Sequence, residues 1–212
     1  MDIAIIGSGN VGKALATAMV RAGHNVTITS ADLEHAAAAA DEVGARSAKS
    51  SREAVQGADA VILAVPYPAV DEVLGEIGDA LPGKILIDVT NRMDASDPTA
   101  TLDGTSASEQ IQSKAQGARV VKAFNTVFAA NQANPVVEGI ELDGFVAGDD
   151  QEAKRAVLEL VKSVGLRPLD AGPLAMARAL EAMGLLNISL NARNNWSWQS
   201  GWKLVGPSEP SA

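Results

Sequence analysis

Met1-Asp2-Ile3-Ala4-Ile5-Ile6-Gly7-Ser8-Gly9-Asn10-Val11-Gly12 is the stretch that decides the fold. Its first half is a short apolar strand. Its second half is G-x-G-x-x-G, set where a dinucleotide fold needs it, between a strand and a helix. Gly7 permits the tight turn, Gly9 lets the backbone approach a pyrophosphate, and Gly12 lets the helix pack close to the strand. The helix N-terminus offers N–H groups and partial positive charge to phosphates. Glycine clusters also mark ordinary turns, so the spacing draws its force from its context. Val11, Ala14, Leu15, Ala18, Met19 and Ala22 recur at helical spacing, Gly23 stands at the helix end, and Asn25-Val26-Thr27-Ile28-Thr29 is β-rich. This completes a βαβ unit, and dinucleotide binding is expected.

Composition narrows the class. The chain has 212 residues, 47% hydrophobic, with a net charge of −9, enough length for a sizeable core. The acidic balance argues against nucleic acid and anionic membranes as partners. No apolar run is long enough to span a bilayer, and Met1 leads straight into a strand with no room for a signal peptide. A cytoplasmic protein without a membrane partner is expected. The absence of cysteine excludes disulfides, thiolate metal sites and cysteine nucleophiles. His24 and His35 are too few for a multi-histidine site, so no metal is expected. His24, in a helix-to-strand turn, reads as structural or solvated.

The alternation of strand and helix continues. Leu33 to Val43 reads as a helix ended by Gly44, Ser50 and Glu53 have capping-box spacing before a short helix closed by Gly57, and Ala60 to Val65 is an apolar strand. Pro66-Tyr67-Pro68 breaks it ahead of an amphipathic helix through Val70, Val73, Leu74 and Ile77. Lys84 to Val89 is a strand, Asn91 to Thr105 a long polar loop, Ser108 to Ala115 a helix, and Arg119 to Phe124 a strand. Gly144 to Gly148, a helix from Ala153 to Val164, and Leu166 to Asp170 add one more αβ layer. Pro173 is placed to open a long helix through Leu190, with Gly184 as a candidate interruption, and 206–212 reads as a frayed end.

The fold expected is α/β: a Rossmann-type doubly wound, mostly parallel sheet with a short C-terminal αβ extension and a helical tail. Residues 1–126 form the dinucleotide-binding domain, and 127–212 an extension completing a second-substrate site. Ligands of such sheets sit outside the carboxyl ends of the strands, so the loops beginning at Gly7, Ser30, Ala64, Asp88 and Asn125 are the candidates.

Several of these loops together carry a family resemblance. Besides the glycine motif they are Ala64-Val65-Pro66-Tyr67, Val121-Lys122-Ala123-Phe124-Asn125-Thr126, Ala147-Gly148-Asp149-Asp150 with Ala153-Lys154, and Gly165 to Leu174, with Ala177-Arg178 and Glu181 closing the series. The chain resembles the F420-dependent NADP oxidoreductases, whose fold is shared with the cytosolic domain of six-transmembrane metalloreductases. The resemblance implies direct hydride transfer between a nicotinamide and a deazaflavin or flavin ring, with no covalent intermediate and no catalytic side chain. It implies that backbone at Ser8, Gly9, Asn10 and Val11 holds the pyrophosphate between Gly7 and Gly12. Ala64, Val65, Pro66 and Tyr67 would lie under the nicotinamide ribose, with Asn125 and Thr126 beside the nicotinamide ring. The second ring would occupy the crevice between Asn125 and the Pro173-Leu174 turn, with Arg178 in reach. Phe124-Asn125-Thr126 is shared with the metalloreductase branch, whereas archaeal F420 enzymes tend to carry histidine where this chain has Asn125.

The family typically reads Ser-Arg after the second strand, with a further cation, and these clamp the 2′-phosphate of NADP. This chain reads Ser30-Ala31-Asp32-Leu33-Glu34-His35. Asp32 either accepts from a ribose 2′-hydroxyl, favouring NAD, or serves the start of the next helix. NADP is the expected cofactor on family grounds, and NAD stays open.

Arg178 and Glu181, three apart, are expected to form a local ion pair, and Asp149-Asp150 to serve a helix start rather than a metal. Trp196, Trp198 and Trp202 cluster in the tail, which is expected to pack back on its own domain or to anchor a homodimer. Two other functions fit the first half: a small imine or β-hydroxy acid reductase relative, and a non-catalytic redox sensor that binds dinucleotide.

Overall fold

The computed structural model describes residues 1–92 and 104–206, so most of the expected 91–105 loop and the end of the tail beyond Gly206 lie outside the described residues. Along the chain run β1 (Asp2–Ile6), α1 (Asn10–Arg21), β2 (Asn25–Thr29), α2 (Leu33–Val43), β3 (Arg46–Ser47), α3 (Ser51–Gln56), β4 (Ala60–Leu63), α4 (Val70–Ile77) and β5 (Ile85–Asp88). Then come α5 (Ala107–Lys114), β6 (Arg119–Lys122), α6 (Ala129–Gln132), a hairpin of β7 (Val136–Val137) and β8 (Ile140–Glu141), β9 (Asp143–Gly148), α7 (Gln151–Ser163), β10 (Arg167–Gly172) and α8 (Ala177–Asn194).

Eight strands form one sheet in the order β10-β9-β6-β5-β4-β1-β2-β3. It is the Rossmann-type, mostly parallel α/β sheet that the alternation implies. Both faces are covered, and the strand pattern shows why. Ile3 and Ile5 point into one core with Leu15, Met19 and Val157, while Ala4 and Ile6 point into the other with Val55, Leu74 and Ile111. The chain turns to opposite sides of the sheet after β1 and after β4, so the crevice between these two strands is the topological switch point where such sheets bind ligands.

Sequence features account for the element ends. Asp32 caps α2 by accepting the His35 N–H at 3.0 Å, and Gly44 ends it with φ +75°. Ser50 accepts the Glu53 N–H at 3.1 Å, while the Glu53 carboxylate reaches the Lys49 N–H at 2.8 Å.

Two features differ from expectation. β9 runs antiparallel to β6, with Val121 opposite Gly148 and Lys122 opposite Ala147. Between β6 and β9 only the four-residue α6 and a small hairpin intervene, too little for a crossover, so the chain returns from the edge at which β6 ended. β10 then pairs parallel to β9 after the true crossover α7. Pro173 does not open the long helix: it precedes a 3-10 turn, Leu174–Met176, and α8 starts at Ala177 and runs uninterrupted past Gly184. β3, α6 and the hairpin, all short, are additions to the expected elements.

The tail folds back on its own domain. Buried Asp143 receives both Arg167 Nε and Nη2 at 2.7 Å, the Lys203 ammonium at 3.1 Å and the Leu204 N–H at 2.6 Å. Trp198 packs edge-on against Phe128 with ring centres 5.6 Å apart.

Candidate active site

The glycine turn is built as its spacing demands. Gly7 has φ +116°, and a Cβ there would lie 2.2 Å from the carbonyl oxygen of Ala64. A Cβ at Gly12 would lie 1.9 Å from the Gly7 oxygen. These two glycines are required by the chain's own packing. Gly9 is different: a Cβ there meets nothing within 4 Å. Gly9 is also the N-cap of α1, no side chain caps that helix, and its first turn holds no acidic residue. Open space before uncapped amides is what a pyrophosphate would fill, so the residues present fit a dinucleotide.

Neighbouring loops are tied to this turn. Buried Ser8 donates to Ser30 Oγ at 2.9 Å, and Ser30 donates to the Asp32 carbonyl at 2.7 Å. Asp32 thus follows the helix-capping alternative, with its side chain turned to α2. Ala31 and His35 are exposed on the same rim. Ala64 N–H bonds the Ile6 carbonyl at 2.8 Å, which holds Ala64 and Val65 across the turn from Gly7. Pro66 leads into a 3-10 turn, and the Tyr67 hydroxyl donates to Gln110. Burial pushes the Tyr67 phenol above its ordinary pKa.

Beyond β6, Phe124 adopts φ +63° while fully buried. For an aromatic residue this conformation costs about 1–2 kcal/mol. Buried Gln132 holds it, donating to the carbonyls of Phe124 and Val127 at 3.0 Å each. The bend presents Asn125, whose Nδ2 donates to Asn91 Oδ1 and to the Leu180 carbonyl, both at 2.9 Å. Those two acceptors fix the amide's orientation. Its Oδ1 is buried and has no partner among the described residues. Gly184 of α8 makes the approach possible, since a Cβ there would stand 2.8 Å from Asn91 Oδ1 and 3.4 Å from the Asn125 carbonyl. A cavity of about 180 Å³ lies here, walled by Val11, Val89, Asn125, Phe128, Gly184 and Ile188.

Behind this wall lies a charge cluster that the sequence patterns gave no sign of. Lys122, wholly buried, places Nζ 2.9 Å from Asp88 Oδ2 and 3.0 Å from Glu181 Oε1, and also bonds the Thr90 carbonyl. Asp88 accepts the Ser108 hydroxyl at 2.6 Å and the Thr90 N–H at 2.8 Å. Glu181 accepts the Ala107 N–H, at the start of α5, at 2.9 and 3.1 Å. Glu181 is therefore not paired with Arg178, contrary to the local pair expected. Arg178 instead grips Glu109 through two bonds, at 2.8 and 2.6 Å, and that hydrogen-bonded guanidinium, against the opposing effect of burial, holds the Glu109 carboxyl down at about 2.

The structure brings Gly7, Ser8, Gly9, Asn10, Val11, Gly12, Ser30, Ala31, Ala64, Val65, Asn125 and Thr126 to the carboxyl edge of the parallel strands. Pro173 and Leu174 are placed elsewhere, and Arg178, held against Glu109 in the first turn of α5, does not line the Asn125 cavity. β10 runs antiparallel to β6, and Gly172 lies level with Ala147, hence with Lys122, so the chain beyond it heads away from that edge. Leu174 is a core residue whose N–H bonds Asp149 at 2.8 Å. Asp150 caps α7 by accepting the Ala153 N–H at 2.8 Å, so this acidic pair serves turns and caps as expected. The part of α8 that returns to the crevice is Gly184, Asn187 and Ile188. His24 bonds Ser163 Oγ at 2.9 Å, and burial lowers its pKa.

Comparison with known proteins bears on the family and the fold. The profile of the family described as "NADP oxidoreductase coenzyme F420-dependent" matches residues 2–92. An F420-dependent NADP reductase of Methanothermobacter marburgensis is 32% identical, covering 92% of this chain and 94% of that one. The metalloreductase STEAP3 of Rattus norvegicus is 33% identical over 86% of this chain but only 36% of its own length. A solved structure from Arthrobacter sp. FB24, a candidate F420-dependent NADP reductase, superposes with a TM-score of 0.87 at 30% identity, covering 97% of this chain and 100% of that one.

Proposed function

The chain belongs to the F420-dependent NADP oxidoreductase family, and from that premise we propose that it is an NADP-dependent oxidoreductase moving a hydride directly between the nicotinamide and F420 or a flavin-like acceptor. The hydride chemistry is supplied by the two rings when bound. The protein's part is to bind, orient and exclude water. Gly9 and the first-turn amides of α1 take the pyrophosphate, Ala64, Val65, Pro66 and Tyr67 border the ribose, and Thr126 closes the rim.

The observation that carries this reading is the buried Asn125 Oδ1, which has no partner among the described residues. A buried amide oxygen lacking a donor is costly, and the carboxamide N–H of a nicotinamide is a donor of the required kind. In this reading 1–126 is the dinucleotide-binding domain and 127–212 completes the second-substrate site. The second ring meets Asn125 on one side and the Gly184–Ile188 stretch of α8 on the other, in place of Pro173, Leu174 and Arg178.

Anaerobic oxidation of NADPH and NADH with F420, FMN, FAD or no acceptor tests the proposal. Turnover with F420 is expected, and Asn125→Ala should slow it. Turnover with flavin alone would move the protein to a flavin reductase. Binding of NADPH without turnover on any of them would overturn the catalytic reading in favour of a redox sensor.

We also propose a homodimer through α8 and the tail. Leu186 and Leu190 of α8, with Trp196, Trp198 and Leu204, are all exposed by a third or more, a large apolar area for a lone chain. Deletion from residue 194 onward should then give monomer or aggregate in sedimentation, and an intact dimer would refute it.

A further inference from the structure

A groove of about 530 Å³ opens beside the glycine turn, between the start of α2 and the face of α4. Ser30, Ala31 and Leu33 form one wall, Lys49 and Arg52 another, and Glu72 and Glu76 lie across from them. It continues from Val65 and Ile6, so it lies where the adenosine half of a dinucleotide would extend from a pyrophosphate at Gly9. The loop after β2 contributes no cation to this groove: position 31 is alanine, and the carboxylate of Asp32 is engaged with its own helix.

The cation comes from the next strand over. β3 pairs parallel to β2 with Thr27 opposite Arg46 and Ile28 opposite Ser47. The ladder continues through Ala48 N–H to the Ile28 carbonyl at 3.1 Å and Thr29 Oγ1 to the Ala48 carbonyl at 3.2 Å. Counting on by one residue sets Lys49 level with Ser30, at the neighbouring-strand spacing of about 4.8 Å. The Lys49 backbone is fixed by the Glu53 carboxylate, yet its exposed ammonium has no partner among the described residues. Arg52, the other cation of the groove, is committed to Asp79 through two hydrogen bonds. An ammonium carried on a fixed backbone, level with the hydroxyl of Ser30 and in no ion pair among the described residues, is a phosphate ligand in waiting.

We infer that Lys49 grips the adenosine 2′-phosphate of NADP and so sets the preference for NADP over NAD, taking the part that Ala31 leaves unfilled. The inference rests on the dinucleotide reading given under the proposed function. It moves the specificity contact from the β2–α2 loop to the β3–α3 loop. Adenine, by contrast, has the apolar Leu33, Val65 and Val73 of the same groove to lie on.

The test is calorimetric binding of 2′,5′-ADP, 5′-AMP, NADPH and NADH to the full chain and to Lys49→Ala and Lys49→Gln. Both variants keep the backbone bond to Glu53, and an exposed position leaves folding intact. Losing one charge-assisted contact at a solvated site should weaken 2′,5′-ADP and NADPH about fivefold or more, with 5′-AMP and NADH changed by less than about twofold. Affinity of the native chain for 2′,5′-ADP should also fall with salt more steeply than that of either variant. Equal weakening of all four ligands would mean that Lys49 serves the adenine or pyrophosphate, and no weakening would mean that it faces solvent. Either result overturns the inference while leaving the dinucleotide reading intact. A native chain that binds none of the four would overturn both.

Discussion

Lys122 Nζ lies 3.0 Å from Glu181 Oε1, joining residues 59 apart in sequence and tying the β6 strand to α8. With Asp88 at 2.9 Å, one ammonium is shared by two carboxylates, all three buried. The cluster also pins Thr90 beside Asn91 and Leu180 beside Asn125, so it holds both ends of the hydrogen bonds that orient the Asn125 amide.

Lys122→Met leaves two buried carboxylates facing one another. Breaking a buried charge cluster in this way typically costs about 3–5 kcal/mol. Urea unfolding at neutral pH should show a loss of that order, and a loss below about 1 kcal/mol would mean that solvent reaches the cluster.

Gly184→Ala separates the crevice from the stability of the fold. Alanine raises helix propensity by about 1 kcal/mol, but its methyl would stand 2.8 Å from Asn91 Oδ1. Asn91 must then move off Asn125. The expected outcome is slower nicotinamide oxidation, by about tenfold, with a thermal midpoint little changed. Unaltered kinetics would show that the Asn91–Asn125 bond is dispensable.

The Glu109 carboxyl, held at about 2 against an ordinary 4.5 by the Arg178 guanidinium, makes a pH signature. A carboxyl with a depressed folded-state pKa adds stability that is present above 4.5 and is lost as pH falls from there towards 2. Glu109→Gln should therefore be less stable than the parent at pH 6, with the gap closing on acidification. A gap that stays constant down to pH 2 would rule out this linkage.

Ala31→Arg restores the cation that the family places after β2. NADPH binding should strengthen at least about fivefold, with NADH unaffected. An unchanged dissociation constant for NADPH would show that the side chain at position 31 points away from the 2′-position.

The dinucleotide half was legible in the sequence because it is local. The spacing of Gly7, Gly9 and Gly12, the apolar strands and the Gly44 and Gly57 stops each act within one βα unit, and local signals of that kind are readable one residue type at a time. The second half depends on long-range partners. The buried face of α8 is Ala177, Leu180, Glu181, Gly184, Leu185, Asn187 and Asn191, nearly half polar, so no amphipathic stripe announces it. Arg178 and Glu181 invited a local pairing because they are helical neighbours, whereas Glu181 found Lys122 of β6 and Arg178 found Glu109 of α5, both distant in sequence. The placement of Pro173-Leu174 turned on the direction of β9, which no residue in that strand encodes. Phe124 at φ +63° is likewise invisible in sequence, since its bend is imposed by Gln132 and by burial.

The antiparallel return of β9 also bears on how the molecule is made. During synthesis the strands from β1 to β6 emerge first, and β6 then stands as the open edge of a sheet whose every other strand has two neighbours or lies at the far rim. That edge carries Val120 and Val121, and its lysine still lacks the Glu181 carboxylate encoded 59 residues later. Such a nascent chain invites pairing with another chain like itself. Truncated forms ending before residue 143 should therefore aggregate rather than persist as a free-standing nucleotide-binding half.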